Sequence, residues 1–320
     1  MQALWTGLVL SLASTLAVAQ SWPAKPLRMV VPLAPGSTAD IVSRVVATEL
    51  GKSLAQPVVV ENKLGAGGSI AMADVARAAP DGYTISFASQ GTLVFNQALY
   101  KAPGYDSLKD FTPLAFVGGV SNVMIVHPTN PAKSPLDVVK EAKAKPGTLT
   151  FSSGGSGTSH HLSGVLFAQM TKTDLVHVPY KQTPAGILAV MTGEVAMGFF
   201  NTPTVIGQIA SGKLKPLGVT SLTRSKQLPD VPTLDEQGLK GYELNTWFGF
   251  VGPAGVSGPV VERLNREING ALARPEVLAS LAKQGFDIPP PASPAGFAKI
   301  IADDMAKWVP LIKASGATAQ

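Results

Sequence analysis

The chain has no cysteine among its 320 residues, and only 15% of them are charged. The first absence excludes thiolate catalysis, zinc held by sulfur and any disulfide framework, while remaining compatible with an oxidising compartment. The second excludes an extended, self-repelling chain, because the 45% of hydrophobic residues is enough to fill a core. Lys and Arg exceed Asp and Glu by 26 to 21, but the cations stand singly among acids and form no basic run, so nucleic acid is not an expected partner. What remains is a weak positive field that favours small anions. The four histidines, His127, His160, His161 and His177, are nowhere three to five residues apart, and adjacent helical side chains diverge by about 100°. No metal and no cofactor is expected. Past the N-terminus, Gly, Pro or a charge interrupts every apolar run before it reaches membrane-spanning length. A chain of this length predicts two domains, each able to bury a core.

Residues 1–24 carry no charge, Leu4 to Val18 are almost entirely apolar, and Ala17-Val18-Ala19 gives the small-x-small pattern of a cleavage site. Residues 1–19 therefore read as a secretory signal cut after Ala19, with the mature protein outside the cytoplasmic membrane. A membrane anchor is the competing reading, but the run falls short of the ~20 residues a spanning helix needs.

Strand-like runs alternate with helical periodicity, which predicts an α/β protein with largely parallel sheets. Leu27 to Leu33 is a β-rich run that ends at Ala34-Pro35-Gly36. From Ala39 onward Ile41, Val42, Val45, Val46 and Leu50 recur at helical spacing, with Arg44, Thr48 and Glu49 on the opposite side. The same order returns later: a strand at Leu149 to Ser152, a Gly/Ser loop at Ser153 to Ser159, then Leu162, Val165, Leu166 and Met170 as a buried helical stripe. Toward the C-terminus two helices are expected around Val261 to Leu272 and Phe297 to Ile312, with Ser257 and Ser293 at cap positions.

The catalytic motifs fail one by one. Gly154-Gly155-Ser156-Gly157-Thr158 approaches the nucleophile elbow G-x-S-x-G but ends in Thr158. Gly51-Lys52-Ser53 resembles the end of a phosphate loop, yet Val46 stands where its first Gly belongs. Gly65 to Gly68 lacks the third Gly of a dinucleotide fingerprint. The enzymatic alternative is an exported hydrolase resting on Ser156 with His160 or His161.

Two loops carry a different chemistry. Pro35-Gly36-Ser37-Thr38 and Ser153-Gly154-Gly155-Ser156-Gly157-Thr158-Ser159 each leave a strand and open a helix. Each can direct free backbone N–H groups and a positive dipole end at one spot. Neither contains Arg or Lys, so an anion held there is held by amides and hydroxyls. The plain alternative is a pair of ordinary strand-to-helix turns with capping residues.

Taken together, VVPLAPGSTAD (30–40), VVVENKLGAGG (58–68), ARAAPDGYT (76–84), LYKAPGYDSLKDFTP (99–113), TFSSGGSGTSHHL (150–162), VHVPYK (176–181), LPDVPTLDEQGL (228–239) and WFGFVGPAG (247–255) resemble the extracytoplasmic solute receptors of tripartite tricarboxylate transporters, the Bug family. The resemblance runs in order from Trp22 to the C-terminal helix. It implies the type II periplasmic-binding-protein fold: two α/β domains joined by crossing strands, with a ligand cleft between them. Residues 22–122 and 244–320 would form one domain, residues 123–243 the other. It further implies a monomeric receptor, not an enzyme, that captures a small carboxylate, bridged in part by ordered water, for the large and small membrane subunits of such a transporter. A sensor that engages a signalling kinase is the same-fold alternative.

Carried onto this sequence, the family's ligand loops fall on Pro35, Gly36, Ser37, Thr38 and Asp40, and on Ser153, Gly154, Gly157, Thr158, Ser159 and His160. Ser89 and Gly91 belong to a third loop. Of these, Asp40 suits a capping role better than contact with a negative ligand, and His160 could line the cleft or cap its helix. Many relatives have an acidic residue before the Asn at the end of the strand 195–199; here Phe200 precedes Asn201. As a cleft wall Phe200 favours an aromatic acid or an aliphatic diacid over an amino acid. As a core residue it says nothing of the ligand.

Overall fold

The computed structural model describes residues 22–283, 285–286, 288–314 and 318–319. The expected signal segment 1–19 and its cleavage point after Ala19 lie outside the described residues.

β1 (Leu27–Val31) is apolar and buried apart from Arg28, which pairs with Glu61 and Asp74. It lies parallel between β2 (Val58–Asn62) and β3 (Thr84–Ser89). α1 (Thr38–Leu54) packs Val42, Val46 and Leu50 onto that sheet, spaced four apart as the sequence pattern requires. Its Glu49, read as solvent-facing, is buried instead, because Arg274 covers it through a 2.8 Å ion pair. α2 (Ser69–Ala76) leads back to β3. A π-helical turn over Gly91–Phe95 and the short α3 (Asn96–Leu99) follow.

β4 (Phe111–Val126) is sixteen residues long and changes partners midway. Phe111 to Ser121 pair antiparallel with β9 (Asn245–Pro253). Asn122 to Val126 pair with β7 (Met197–Asn201) on one side, and Val123 to Val126 pair with β8 (Lys215–Val219) on the other. Between them α4 (Pro135–Ala144), β5 (Leu149–Ser153), α5 (Ser159–Thr171), β6 (Leu175–Pro179), α6 (Thr183–Met191) and α7 (Thr202–Ala210) build a second α/β unit, with β5 parallel to both β6 and β7. The strand order is β2-β1-β3-β9-β4-β7-β5-β6, with β8 on β4. The parallel pairing expected from the sequence holds among β1, β2 and β3 and among β5, β6 and β7, whereas β3–β9, β4–β7 and β4–β8 are antiparallel. At the junction β4 and β9 run antiparallel, because the chain crosses once in each direction.

α8 (Gly258–Leu272), α9 (Pro275–Lys283) and α10 (Pro294–Ala314) return to the first sheet. α1 and α8 cover one face of it, burying Leu264 and Ile268 against Phe248 and Phe250. α2 and α10 cover the other around Phe95, Trp247 and Phe297. The second sheet is sandwiched likewise, by α4 and α5 around Phe167 and Phe199, and by α6 and α7 around Ile187 and Val205. Both sheets are thus buried on both faces, which is what parallel sheets require. The strand ends that open α1, α5 and α7 meet at the junction.

Candidate functional site

The mouth of α1 is shaped by a single carboxylate. Ser37 caps the helix by accepting the Asp40 N–H. Asp40 Oδ2 accepts the Gly36 N–H at 3.0 Å, and its Oδ1 meets Arg44 Nη2 at 2.9 Å and Asn62 Nδ2 at 3.0 Å. Burial opposes its ionisation, but the bonds from Arg44, Gly36 and Asn62 outweigh that and hold it below the usual carboxylate range. Asp40 therefore fastens the loop from behind. The N–H groups of Thr38 and Ala39, in the first helical turn, have no protein acceptor among the described residues. Pro35 and Gly36 are exposed at the rim, Gly36 beside Pro184 of the second unit.

The mouth of α5 is held by histidines. Thr158 caps the helix, accepting the His161 N–H and donating to Gly155 O. His160 Nδ1 accepts the Gly154 N–H at 3.3 Å, and His161 Nδ1 accepts the Gly157 N–H at 3.4 Å. Ser153 Oγ pairs with His177 Nε2 at 2.7 Å and accepts the Gly155 N–H at 3.1 Å. Burial pushes the His160 and His177 imidazoles down to about 4. His161 is pushed down to about 3 by burial and by the His177 ring, 4.1 Å away centroid to centroid. All three are neutral at pH 7, as acceptors must be.

This arrangement corrects the reading of the glycines. The N–H groups of Gly154 and Gly157, expected to face a ligand, are consumed by His160 and His161. Those left without a protein acceptor at this mouth include Ser159 and His160 in the first turn of α5. The loop supplies its shape, and the helix supplies the donors.

Asn201 joins the two mouths. Its Oδ1 accepts from Thr38 Oγ1 at 3.2 Å and from His160 Nε2 at 3.3 Å, which fixes His160 as the Nε2–H tautomer. Its Nδ2 donates to Asn122 Oδ1 and lies 3.5 Å from Ser159 Oγ and 3.4 Å from Thr246 Oγ1. One amide thus touches α1, α5 and both crossing strands. Phe200, one residue earlier, is fully buried among Val123, Ile125, Ile187, Val190 and Val205, with its ring 4.8 Å from that of His160. The cleft-wall expectation for Phe200 is corrected: strand alternation turns it into the α6–α7 core while Asn201 faces the junction.

The third loop meets the second across the junction. Ser89 and Thr92 exchange bonds that staple the π-helical turn. A Cβ on Gly91 would stand 2.6 Å from Gly157 O, and Tyr100 Oη donates to Ser156 O at 3.3 Å. Asn96 Oδ1 is buried there without a partner. Asn122, Thr246, His161, His177 and Asn96 were not singled out from the sequence as parts of this site. The first two were detectable as polar residues that interrupt the apolar stretches Ala115 to Val126 and Leu244 to Val251. Nothing in the sequence signals that His177 on β6 reaches Ser153. The hydrolase constellation is not assembled: among the described residues no hydrogen bond joins Ser156 Oγ to a histidine, and none joins a carboxylate to His160, His161 or His177.

Comparison with known proteins agrees with this architecture. The profile of the tripartite tricarboxylate transporter family receptor matches residues 42–317. Protein BugT of Bordetella pertussis is 35% identical over 300 residues, spanning 93% of this chain and 92% of its own. Among solved structures, the periplasmic binding protein BugD superposes with a TM-score of 0.88 at 33% identity, covering 93% of this chain and 100% of its own. Rpa4515 of R. palustris with adipate gives 0.89 at 30% identity over 93% and 100%. MatC of Rhodopseudomonas palustris with bound malate gives 0.87 at 30% over 91% and 100%. Matches of this extent, together with two α/β units on crossing strands, make the fold the two-domain type II periplasmic-binding-protein fold. The chain belongs to the tripartite tricarboxylate transporter receptor family, the Bug-type periplasmic solute receptors.

Proposed function

We propose that this receptor captures a small mono- or dicarboxylate between the mouths of α1 and α5, performs no chemistry on it, and delivers it as a monomer to the large and small membrane subunits of a tripartite transporter. The observation that carries the reading is the pair of unpartnered first turns, Thr38–Ala39 and Ser159–His160, drawn to one point by Asn201. Hydrogen bonds to a charged group are each worth about 1.5–3 kcal/mol, so four of them can offset the ordering cost and leave micromolar binding, about 8 kcal/mol. The adipate and malate bound by the two R. palustris neighbours are acids of this class.

In this reading Ser37, Thr158 and Asp40 shape the two mouths, Ser89 and Gly91 seal them, and residues 22–122 with 244–320 close against residues 123–243. Export with cleavage after Ala19 delivers the chain to the periplasm. The test is calorimetry against a carboxylate panel that includes adipate and malate. A member of the panel binds with micromolar affinity, and Thr158→Ala weakens that binding roughly 5- to 30-fold, the cost of losing a helix cap of about 1–2 kcal/mol. A panel without a binder, or a variant with unaltered affinity, would refute the assignment.

A further inference from the structure

Away from the paired helix mouths, a cavity of about 480 Å³ lies beside the crossing strand, and it shares no residue with the site above. Its floor is β4 from Gly118 to Ser121. One wall comes from the first unit, from α9 and the segment after it: Leu278, Ala282, Phe286, Ile288 and Pro289. The other comes from the second unit, the loop that follows β8: Ser221, Thr223, Arg224, Ser225, Lys226 and Gln227. The two walls differ in chemistry. The α9 side is apolar, with Phe286 anchored in the core and Leu278 exposed. The loop side is hydroxyl-rich and cationic, and among the described residues no carboxylate lines the cavity.

The two cations are not equivalent. Arg224 is engaged, its Nε 2.9 Å from Glu236 Oε2 and its Nη1 donating to Pro229 O at 3.1 Å. That clamp sets the loop's shape. Lys226 is exposed and makes neither an ion pair nor a hydrogen bond among the described residues. A volume of this size lies within the range of small-molecule sites, and an apolar body with one convergent charge is their usual recognition pattern. The geometry points to a second ligand site here, for an amphipathic organic anion whose charged group meets Lys226 and the loop hydroxyls and whose ring or chain lies against Leu278, Phe286 and Ile288.

An occupant of this cavity touches both units. The wall also abuts the start of α7: a Cβ on Gly285 would stand 2.7 Å from Thr202 Cγ2, and Thr202 Oγ1 donates to Ser121 O at 3.0 Å. The site is therefore formed where the two units meet.

8-Anilinonaphthalene-1-sulfonate, an apolar ring system with one sulfonate, is the probe. Its fluorescence with the mature protein at neutral pH is expected to rise saturably to one equivalent. Lys226→Glu reverses the charge at an exposed position, and Ala282→Trp fills the apolar side. Each is expected to weaken half-saturation at least tenfold while the thermal melt stays that of the parent. Thr158→Ala, in the first site, is expected to leave the titration unchanged, so failure here is separable from failure of the carboxylate reading. No saturable rise, or titrations that Lys226→Glu and Ala282→Trp leave intact, overturns the proposal. So does a response abolished by Thr158→Ala.

Discussion

At the scale of single residues, Phe200 and Asn201 show how one step along a strand separates packing from recognition. Phe200 fills the α6–α7 core and is fully buried. Phe200→Ala is expected to cost about 3–5 kcal/mol through the cavity it leaves. Chemical denaturation measures that loss, and calorimetry on the folded variant is expected to show the same ranking of carboxylates as the parent. A changed ranking would return Phe200 to the cleft. The sequence made this pair conspicuous but not its orientation: alternation says that neighbours face opposite ways, and only the pairing of Asn122 with Asn201 fixes which way is which. Asp40 was legible further, because a carboxylate at the third position of a helix commonly ties down its own N-terminus.

At the scale of elements, the α5 mouth depends on protonation. His160, His161 and His177 are neutral in the folded chain with pKa values of about 4, 3 and 4, whereas an unfolded histidine titrates near 6.5. Between roughly pH 6.5 and 4 the unfolded chain binds more protons, so stability is full above that window and falls as the pH drops through it. All three histidines act in the same direction. The melting temperature is expected to decline steadily from pH 7 to pH 4.5. His161→Phe, which keeps a ring beside Phe151 and His177 but has no proton to take up, is expected to flatten the decline. Parallel slopes for parent and variant would contradict this account. The elements around these histidines were readable in advance: β1, α1, β5 and α5 have clean periodicities and short loops. β4 was not, because Pro113, Gly118 and Gly119 interrupt its apolar run, and register shifts accommodate them between Pro113 and Ala115 and between Phe116 and Gly118. The π-helical turn has no sequence signature at all.

At the scale of the whole molecule, the loops at the junction bring the two units into direct contact. Gly91 has an ordinary backbone conformation, so alanine there is tolerated within the first unit, yet its methyl would stand 2.6 Å from Gly157 O of the second. Gly91→Ala is expected to leave the thermal melt within a few degrees of the parent and to lower carboxylate affinity at least tenfold, because it obstructs only the approach of the two units. Retained affinity in calorimetry would mean that the units need not meet for binding. The sequence placed both glycines in cleft loops, but not their contact with each other, since Gly91 and Gly157 are 66 residues apart and no periodicity relates the two loops.

The strand order also bears on how the chain is made. β9 sits between β3 and β4, but it follows the whole second unit in the sequence. During synthesis the ribosome therefore releases β5 to β8 while the earlier sheet still lacks the strand that joins β3 to β4, leaving both with bare edges until residues 245–253 emerge. The later-encoded unit can finish first, and the nascent protein passes through an interval in which a chaperone would find open strands on the part nearest its N-terminus.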